Sequence, residues 1–477
     1  MAKIEIKNIN LGGLADSAYL GGENSFSESV GLDLHSTPGL VKVNQRLVKD
    51  SGATVTEFCK YGVSCSNGEF YFFSADSGKI WARTLAGVWR LVYTTSAAAG
   101  TSTCLGAIEF NGYIYWATQS RLHRITLAGA DDTTWSAGLA ADWATFTNTD
   151  ALYHPMHELS LTLYIGDAGI IAAVMTDVTP TGAFTANVLD LTLSVRATCL
   201  NHLGTDLLIG TFINSTTNRG ELFRWNTWSP SWTSSDVVPE VGINAFVPID
   251  NGILLSAGTK GNLYAYNGDY LTQVKCIKGD YSGTNKAVVY PGSALNFNSL
   301  PLFAVSNSSA NPCLEGIYSF GSSNSNYPTV LNLEYVASPN VTTAMEYGAL
   351  IGAGDTFLVA WKDSTTTPAY GVDILDTSNK YSGAYFITRM IVVDRDNLKS
   401  VGHVNVGYKT IPASTAISIS KYVNHGNVAS VSSVVNAKNH TQQASVDVGD
   451  MTTLQVKVST TASGNTAPEI ESVLINL

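Results

Sequence analysis

Residues 59–95 run Cys59-Lys-Tyr-Gly-Val-Ser-Cys65, Asn67-Gly68, Glu69-Phe-Tyr-Phe-Phe73, Ser74-Ala-Asp76-Ser-Gly78, Lys79-Ile-Trp81-Ala-Arg83 and Leu85-Ala-Gly87-Val-Trp89-Arg-Leu-Val-Tyr93. Four short β-rich runs alternate with three turn signals. Asn-Gly between such runs marks a tight hairpin, because both central residues of the primed turn need positive φ. Four antiparallel strands in so short a stretch form one sheet. Its apolar face has nothing of its own to cover it.

The chain then repeats the unit. Residues 104–127 read Cys104-Leu-Gly-Ala-Ile-Glu-Phe110, Asn111-Gly112, Tyr113-Ile-Tyr-Trp116, Gln119-Ser120 and Arg121-Leu-His-Arg-Ile-Thr-Leu127. Residues 245–266 read Ala245-Phe-Val-Pro-Ile249, Asn251-Gly252, Ile253-Leu-Leu-Ser256, Lys260-Gly261 and Asn262-Leu-Tyr-Ala-Tyr266. Weaker copies of the turn fall at Glu158-Leu159, Gly204-Thr205, Asn298-Ser299 and Gly354-Asp355. Copies spaced by roughly 45–55 residues match the period of a four-stranded propeller blade. The expected fold is all-β: a β-propeller of about seven four-stranded blades over 51–384. An extended arm (1–50) precedes it and a β-sandwich (385–477) follows, read from strands such as 401–408, 416–422, 453–458 and 470–475.

Composition narrows the function. Only 14% of residues are charged, well under the usual quarter, and small polar residues replace them. This balance is typical of β-rich proteins in assemblies or outside cells. The net charge of −11, from 27 basic and 38 acidic residues, argues against a general nucleic-acid surface. DNA at most passes through a negatively charged lumen. The opening Met-Ala-Lys-Ile-Glu-Ile-Lys lacks an apolar signal-peptide core, and no run is apolar enough for a membrane span. Synthesis in a cytoplasm without standard export is the reading. The six Cys have no zinc-ligand spacing and read as buried thiols.

The arm carries large apolar residues, Leu14, Tyr19, Leu20, Phe26, Leu32 and Leu34. One reading wraps them on the chain's own propeller, with Leu40–Val48 supplying a strand that closes the ring. The other docks them on a neighbouring subunit as an assembly arm. Trp225, Trp228 and Trp232 form a candidate exposed aromatic patch for a sugar or a partner, against the blander reading of packing over a blade edge.

Gly12-Gly13-Leu14, Asn24-Ser-Phe-Ser-Glu-Ser-Val-Gly-Leu-Asp-Leu34 and Thr37-Pro-Gly-Leu40 resemble the start of a group of tailed-bacteriophage virion proteins. That resemblance implies an arm, a propeller and a small sandwich. It implies a structural role in the tail, neck or tail tip, with other virion proteins and copies of itself in a ring as partners. A host-surface glycan is a further partner under the alternative reading, a receptor-binding or carbohydrate-active propeller.

Catalytic constellations are not legible. Ser74-Ala-Asp76-Ser-Gly78-Lys-Ile-Trp81 resembles the Asp-box of sialidase-type propellers, which shapes a hairpin and is not catalytic. His154-Pro-Met-His157 lacks further ligands in sequence, and Asp131-Asp132 and Asp394-Arg395-Asp396 read as turns. Gly-x-Ser-x-Gly, Gly-rich phosphate and HExxH motifs are absent. No catalytic, cofactor-binding or metal residue is assigned, and a non-enzymatic protein is expected.

Overall fold

The computed structural model describes residues 3–476 apart from 17–21, 23, 95–102, 128–141, 176–182, 193, 214–215, 308–312, 323–327, 340–343, 366–367, 393–402, 428, 436–440 and 446–450. Among the described residues only Ile9–Leu11 is helical, as a single 3-10 turn. All else that is regular is strand. The chain divides into two compact units, one of 49–315 with 343–374, the other of 1–48 with 316–342 and 375–477.

The first unit is a ring of blades. Blade 1 is Cys59–Ser64, Phe70–Ser74, Lys79–Arg83 and Trp89–Thr94, hydrogen-bonded in chain order. Blades 2 to 5 repeat this meander, opening on Gly106–Phe110, Met156–Leu159, Arg196–Leu203 and Ile243–Ile249. The sixth position is held by Ala294–Phe297 paired with Leu300–Asn307. Blade 7 opens on Met345–Ala353 and continues through Thr356–Asp363 and Ala369–Lys380. Its fourth strand is Gln45–Lys49, drawn from before blade 1. That strand overlaps the stretch Leu40–Val48 expected to close the ring and runs one residue beyond it.

Blade stacking explains why the repeat folds. Each sheet buries both faces against its neighbours, so its middle strands are apolar throughout. Phe70–Ser74 and Gly252–Ala257 are buried at every position. Continuous cores join blade 1 to 2 (Tyr71, Ile80, Cys104, Trp116), 3 to 4 (Ile171, Leu189, Leu207, Phe223) and 4 to 5 (Leu208, Leu222, Ile253, Tyr264). Phe297 and Phe357 meet edge to face at 5.3 Å between the sixth and seventh positions. Phe72 and Trp81 of blade 1 pack with Leu358 and Val372 of blade 7, which closes the circle.

The hairpin turns fall where the sequence places them at Asn111-Gly112, Gly204-Thr205, Asn298-Ser299 and Gly354-Asp355; in blade 5 the turn is Asp250-Asn251 rather than Asn251-Gly252, since Gly252 already pairs with Ile249. Asn111 and Gly112 have φ of 48° and 75°, and Asn298 and Ser299 have 51° and 62°. In blade 3 the turn lies at Ser160-Leu161, with φ of 52° and 64°, not at Glu158-Leu159. Ser-Leu carries no turn chemistry, so the register was not readable there.

The second unit corrects the expected division at 50 and 385. The arm is not separate from the C-terminal strands. Lys3–Lys7 pairs with Ile470–Asn476, which pairs with His403–Tyr408 and through it Thr441–Ser445. Phe26–Val30 pairs with Tyr385–Thr388 in a second sheet with Thr453–Thr461, Ala416–Val423 and Ala429–Val435. Thr453–Thr461 and His403–Tyr408 alternate buried and less buried positions, the pattern of a sandwich with one wet side per sheet. Two sandwich strands therefore come from the N-terminus.

Candidate functional site

The arm residues are placed first, because burial decides their role. Leu14, Phe26, Leu32 and Leu34 are 1–7% exposed within their own chain, so they are not free to dock on a neighbour. Tyr19 and Leu20 lie outside the described residues. The Gly-Gly pair has a mechanical cause. A Cβ on Gly13 (φ 59°) would meet Val330 Cβ at 2.6 Å, and one on Gly12 would meet Asn24 O at 2.2 Å. Close approach at this point lets the Leu14 N–H donate to Leu331 O at 2.8 Å.

Beside the arm lies a dense buried polar network. Ser319 Oγ donates to Glu334 Oε1 (2.7 Å), Asn332 Nδ2 donates to the same oxygen (3.0 Å), and Asn44 Nδ2 donates to Glu334 Oε2. His35 Nε2 lies 3.0 Å from Ser319 Oγ and 3.1 Å from Glu334 Oε1. Burial opposes charge on His35, but the Glu334 hydrogen bond and charge, with Asp33, outweigh it and hold His35 above its usual value. The residue types are those of a Ser-His-acid triad, and the atoms are wrong for one. A triad acid orients the base through Nδ1, whereas His35 Nδ1 has no partner and Ser319 is sealed from solvent. The network staples the arm to Gly316–Gly321 and Val330–Tyr335.

The other sequence candidates resolve individually. Trp225 is 3% exposed and its indole N–H donates to Ser229 O at 2.8 Å, while Trp228 is 90% exposed. Trp232 is partly exposed and meets Phe223 edge to face at 5.4 Å. The three-Trp patch thus reduces to Trp228 and part of Trp232. In the Asp-box, Trp81 is buried as expected. Ser74 Oγ rather than the Asp76 carboxylate accepts the turn N–H groups of Asp76 and Ser77, both at 2.9 Å. Glu57 accepts from Ser74 and Ser77 and pairs with Lys79.

His154 is fully buried, stacked on Phe146 at 3.9 Å, with its two nitrogens facing Gly166 O and Gln119 O. With a carbonyl against each nitrogen in a sealed core, neither is open to a metal. Asp131, Asp132, Asp394, Arg395 and Asp396 lie outside the described residues. Five of the six thiols are buried and none of the six is in a disulfide; burial pushes Cys104 and Cys313 up to about 12, which makes them poor nucleophiles.

Blade topology singles out one face of the ring. Successive antiparallel strands reverse direction, so the starts of all first strands share a face with the second-to-third hairpins and the interblade connections. At its centre Lys60 Nζ sits 4.6 Å over the Tyr290 ring, and Tyr290 donates to Glu346 Oε1 at 2.7 Å. Lys362 Nζ is 3.5 Å from Glu346 Oε2. Burial lowers the Lys60 ammonium, with Glu346 and Asp76 opposing. Burial pushes Tyr153 up to about 12. The Tyr61 hydroxyl is sealed without a hydrogen-bond partner, close enough to Tyr153, Cys104 and Cys199 to feel them.

Cavities between described residues open on this face. One of about 170 Å³ is lined by Tyr153, Thr198, Asn244 and Pro291, from blades 3 to 5 and the lead-in to the sixth. The other, about 410 Å³, is lined by Asn148, Asp150, Asp190, Thr192 and Arg196 between blades 3 and 4. Asp150 is largely exposed and ion-paired to Arg196, and Asp190 accepts from Asn187 at 2.9 Å. Neither is shielded as a glycosidase acid must be. The face has the aromatic and hydrogen-bonding groups of a binding surface. Sequence reasoning missed it, because Lys60, Tyr290 and Glu346 lie far apart in the chain and only the closed ring brings them together.

No family model and no curated protein matches this chain. Among solved structures it is similar to a streptogramin B lyase, at 11% identity and TM-score 0.45, over 69% of this chain and 97% of that one. The Dos1 propeller aligns at 12% identity and TM-score 0.40, over 69% and 93%. An exo-β-1,3-galactanase from Phanerochaete chrysosporium aligns at 10% identity and TM-score 0.30, over 68% and 95%. With scores this low, the assignment rests on the chain's own sheets: it is a β-propeller protein with an attached β-sandwich. No helix among the described residues is long and apolar enough to cross a membrane.

Proposed function

We propose that this chain is a non-enzymatic structural protein of a tailed-bacteriophage virion, a component of the tail, neck or tail tip. The observation that carries the reading is the Gly12-Gly13-Leu14 arm. The residues that resemble the phage proteins are those with a definite mechanical task, Gly13 at positive φ against Val330 and Leu14 hydrogen-bonded to Leu331. The mechanism is architectural. A stacked ring of blades gives a rigid block, and the sandwich, tied through both termini, presents surfaces to neighbours. With Leu14, Phe26, Leu32 and Leu34 buried, contacts between copies fall to other surfaces. DNA, where it passes, runs through a ring of copies.

Light scattering with negative-stain imaging of the purified protein tests this. Rings of copies are expected, together with no turnover on a glycan panel. A monomer that stays monomeric at high concentration and cleaves a glycan would overturn the reading. A second reading, recognition of a host-surface glycan, is favoured by the two cavities and by Tyr153 and Asn244 at the axial one. It predicts saturable glycan binding that Tyr153→Ala weakens. Binding untouched by that change would remove the axial cavity from consideration.

A further inference from the structure

On the opposite face, where first and second strands turn, neighbouring blades touch through side chains. The Ser66 N–H of blade 1 donates to Glu109 Oε2 of blade 2 at 2.7 Å. Asn296 Nδ2 of the sixth position donates to Pro248 O of blade 5 at 2.7 Å. Between blades 3 and 4 the contact is imidazole to imidazole. His157 Nε2 lies 2.7 Å from His202 Nδ1, with ring centroids 5.0 Å apart and planes inclined at 30°. The two nitrogens share one hydrogen, so at least one faces the gap with a lone pair.

We propose that His157 and His202 form a two-imidazole site for a late first-row divalent ion such as Ni²⁺, Cu²⁺ or Zn²⁺, clamping blade 3 to blade 4. Neutral imidazole suits these ions. Metal–nitrogen bonds of about 2.0–2.1 Å set two adjacent ligand nitrogens roughly 3.0–3.4 Å apart. The nitrogens need to part by well under about 1 Å from their present contact, and each ring needs to turn by roughly 35–45° so that the two lone pairs converge on one ion. The shared hydrogen moves to the outer nitrogen of its own ring, so both inner lone pairs face the ion and no proton is lost. His202 is exposed, which lets water complete the shell. Among the described residues no third His, Cys, Asp or Glu joins the pair, so the site is open rather than a closed structural one. The sequence pair His154 and His157 is split by the fold: one ring is capped by carbonyls, the other is turned to a different blade.

Calorimetric titration of the full chain with NiCl₂ and ZnCl₂, against MgCl₂, tests the site. One Ni²⁺ or Zn²⁺ per chain is expected, with no Mg²⁺ uptake, since Mg²⁺ prefers oxygen. His157→Gln and His202→Gln should each abolish uptake, and His403→Gln should leave it unchanged. Pulsed electron paramagnetic resonance of the Cu²⁺-loaded wild type reads the ligands without any variant, and two imidazoles are expected. Absence of saturable binding, fewer than two imidazoles on Cu²⁺, or uptake that persists in both variants overturns the site.

Discussion

Glu315 is 1% exposed, and its carboxyl is pushed up from the usual 4.5 to about 7. Burial is the main cause; the Met345 N–H and Asn307 oppose it and Glu346 adds to it. The folded chain therefore holds this proton more tightly than the unfolded chain. Its contribution to stability is full below about 4.5 and is lost as pH rises through about 7. Glu315→Gln keeps an acceptor for the Met345 N–H and carries no charge. At pH 8 the variant should exceed wild type by roughly 1–3 kcal/mol, and near pH 4.5 the two should melt together. Parallel melting curves at both pH values would show that the buried carboxylate costs nothing. Tryptophan gives a contrast at the same scale. Trp225→Ala should cost about 3–5 kcal/mol by opening a cavity, while Trp228→Ala should stay within about 0.5 kcal/mol; equal denaturation midpoints would refute the burial argument. In sequence the two are indistinguishable members of one cluster, because nothing local says which indole blade 3 covers.

At the scale of elements, legibility followed turn chemistry. Asn111-Gly112 fixed its hairpin with both residues at positive φ, which Asn and Gly adopt at little cost; in the longer blade 1 loop only Gly68 takes that role, with φ of 83°. Ser160-Leu161 adopts the same turn with φ of 52° and 64° and leaves Leu161 69% exposed. A branched apolar residue in the left-handed region costs roughly 1–2 kcal/mol, an amount that packing of blade 3 offsets. An Asn-Gly turn at this position, made by combining Ser160→Asn with Leu161→Gly, should stabilise the chain by about 1–2 kcal/mol, read as a higher midpoint in urea. A lower midpoint would mean that Leu161 makes a contact worth more than its strain. The Asp-box shows the converse. Its hairpin and buried Trp81 were legible from spacing, but the group that accepts the turn N–H bonds is the Ser74 hydroxyl, held by a Glu57 that lies 17 residues upstream.

At the scale of the whole molecule, repeat periodicity was legible and chain crossings were not. Seven blades follow from the spacing of turns, because each sheet needs a neighbour on both faces. The ring-closing strand was read at Leu40–Val48 and lies at Gln45–Lys49, but that the N-terminus also supplies two strands of the sandwich depends on pairings more than 300 residues apart, such as Phe26 with Thr388 and Lys3 with Asn476. No local pattern encodes these. They change what truncation does. Removing residues 1–40 strips Lys3–Lys7 from Ile470–Asn476 and Phe26–Val30 from Tyr385–Thr388, leaving two unpaired edges. It also withdraws Leu14, Phe26, Leu32 and Leu34, each worth about 1.5–3 kcal/mol when buried, and strands the acidic Glu334 network without His35. The summed loss matches the whole stability of a typical domain, about 5–15 kcal/mol. The truncated chain should therefore lose protease resistance over 375–477 and aggregate through its open edges, while fragments from 49–315 persist. A truncated chain that remains soluble, protease-resistant throughout and merely unable to self-associate would restore the arm as an assembly device and refute its role as a structural part of the sandwich.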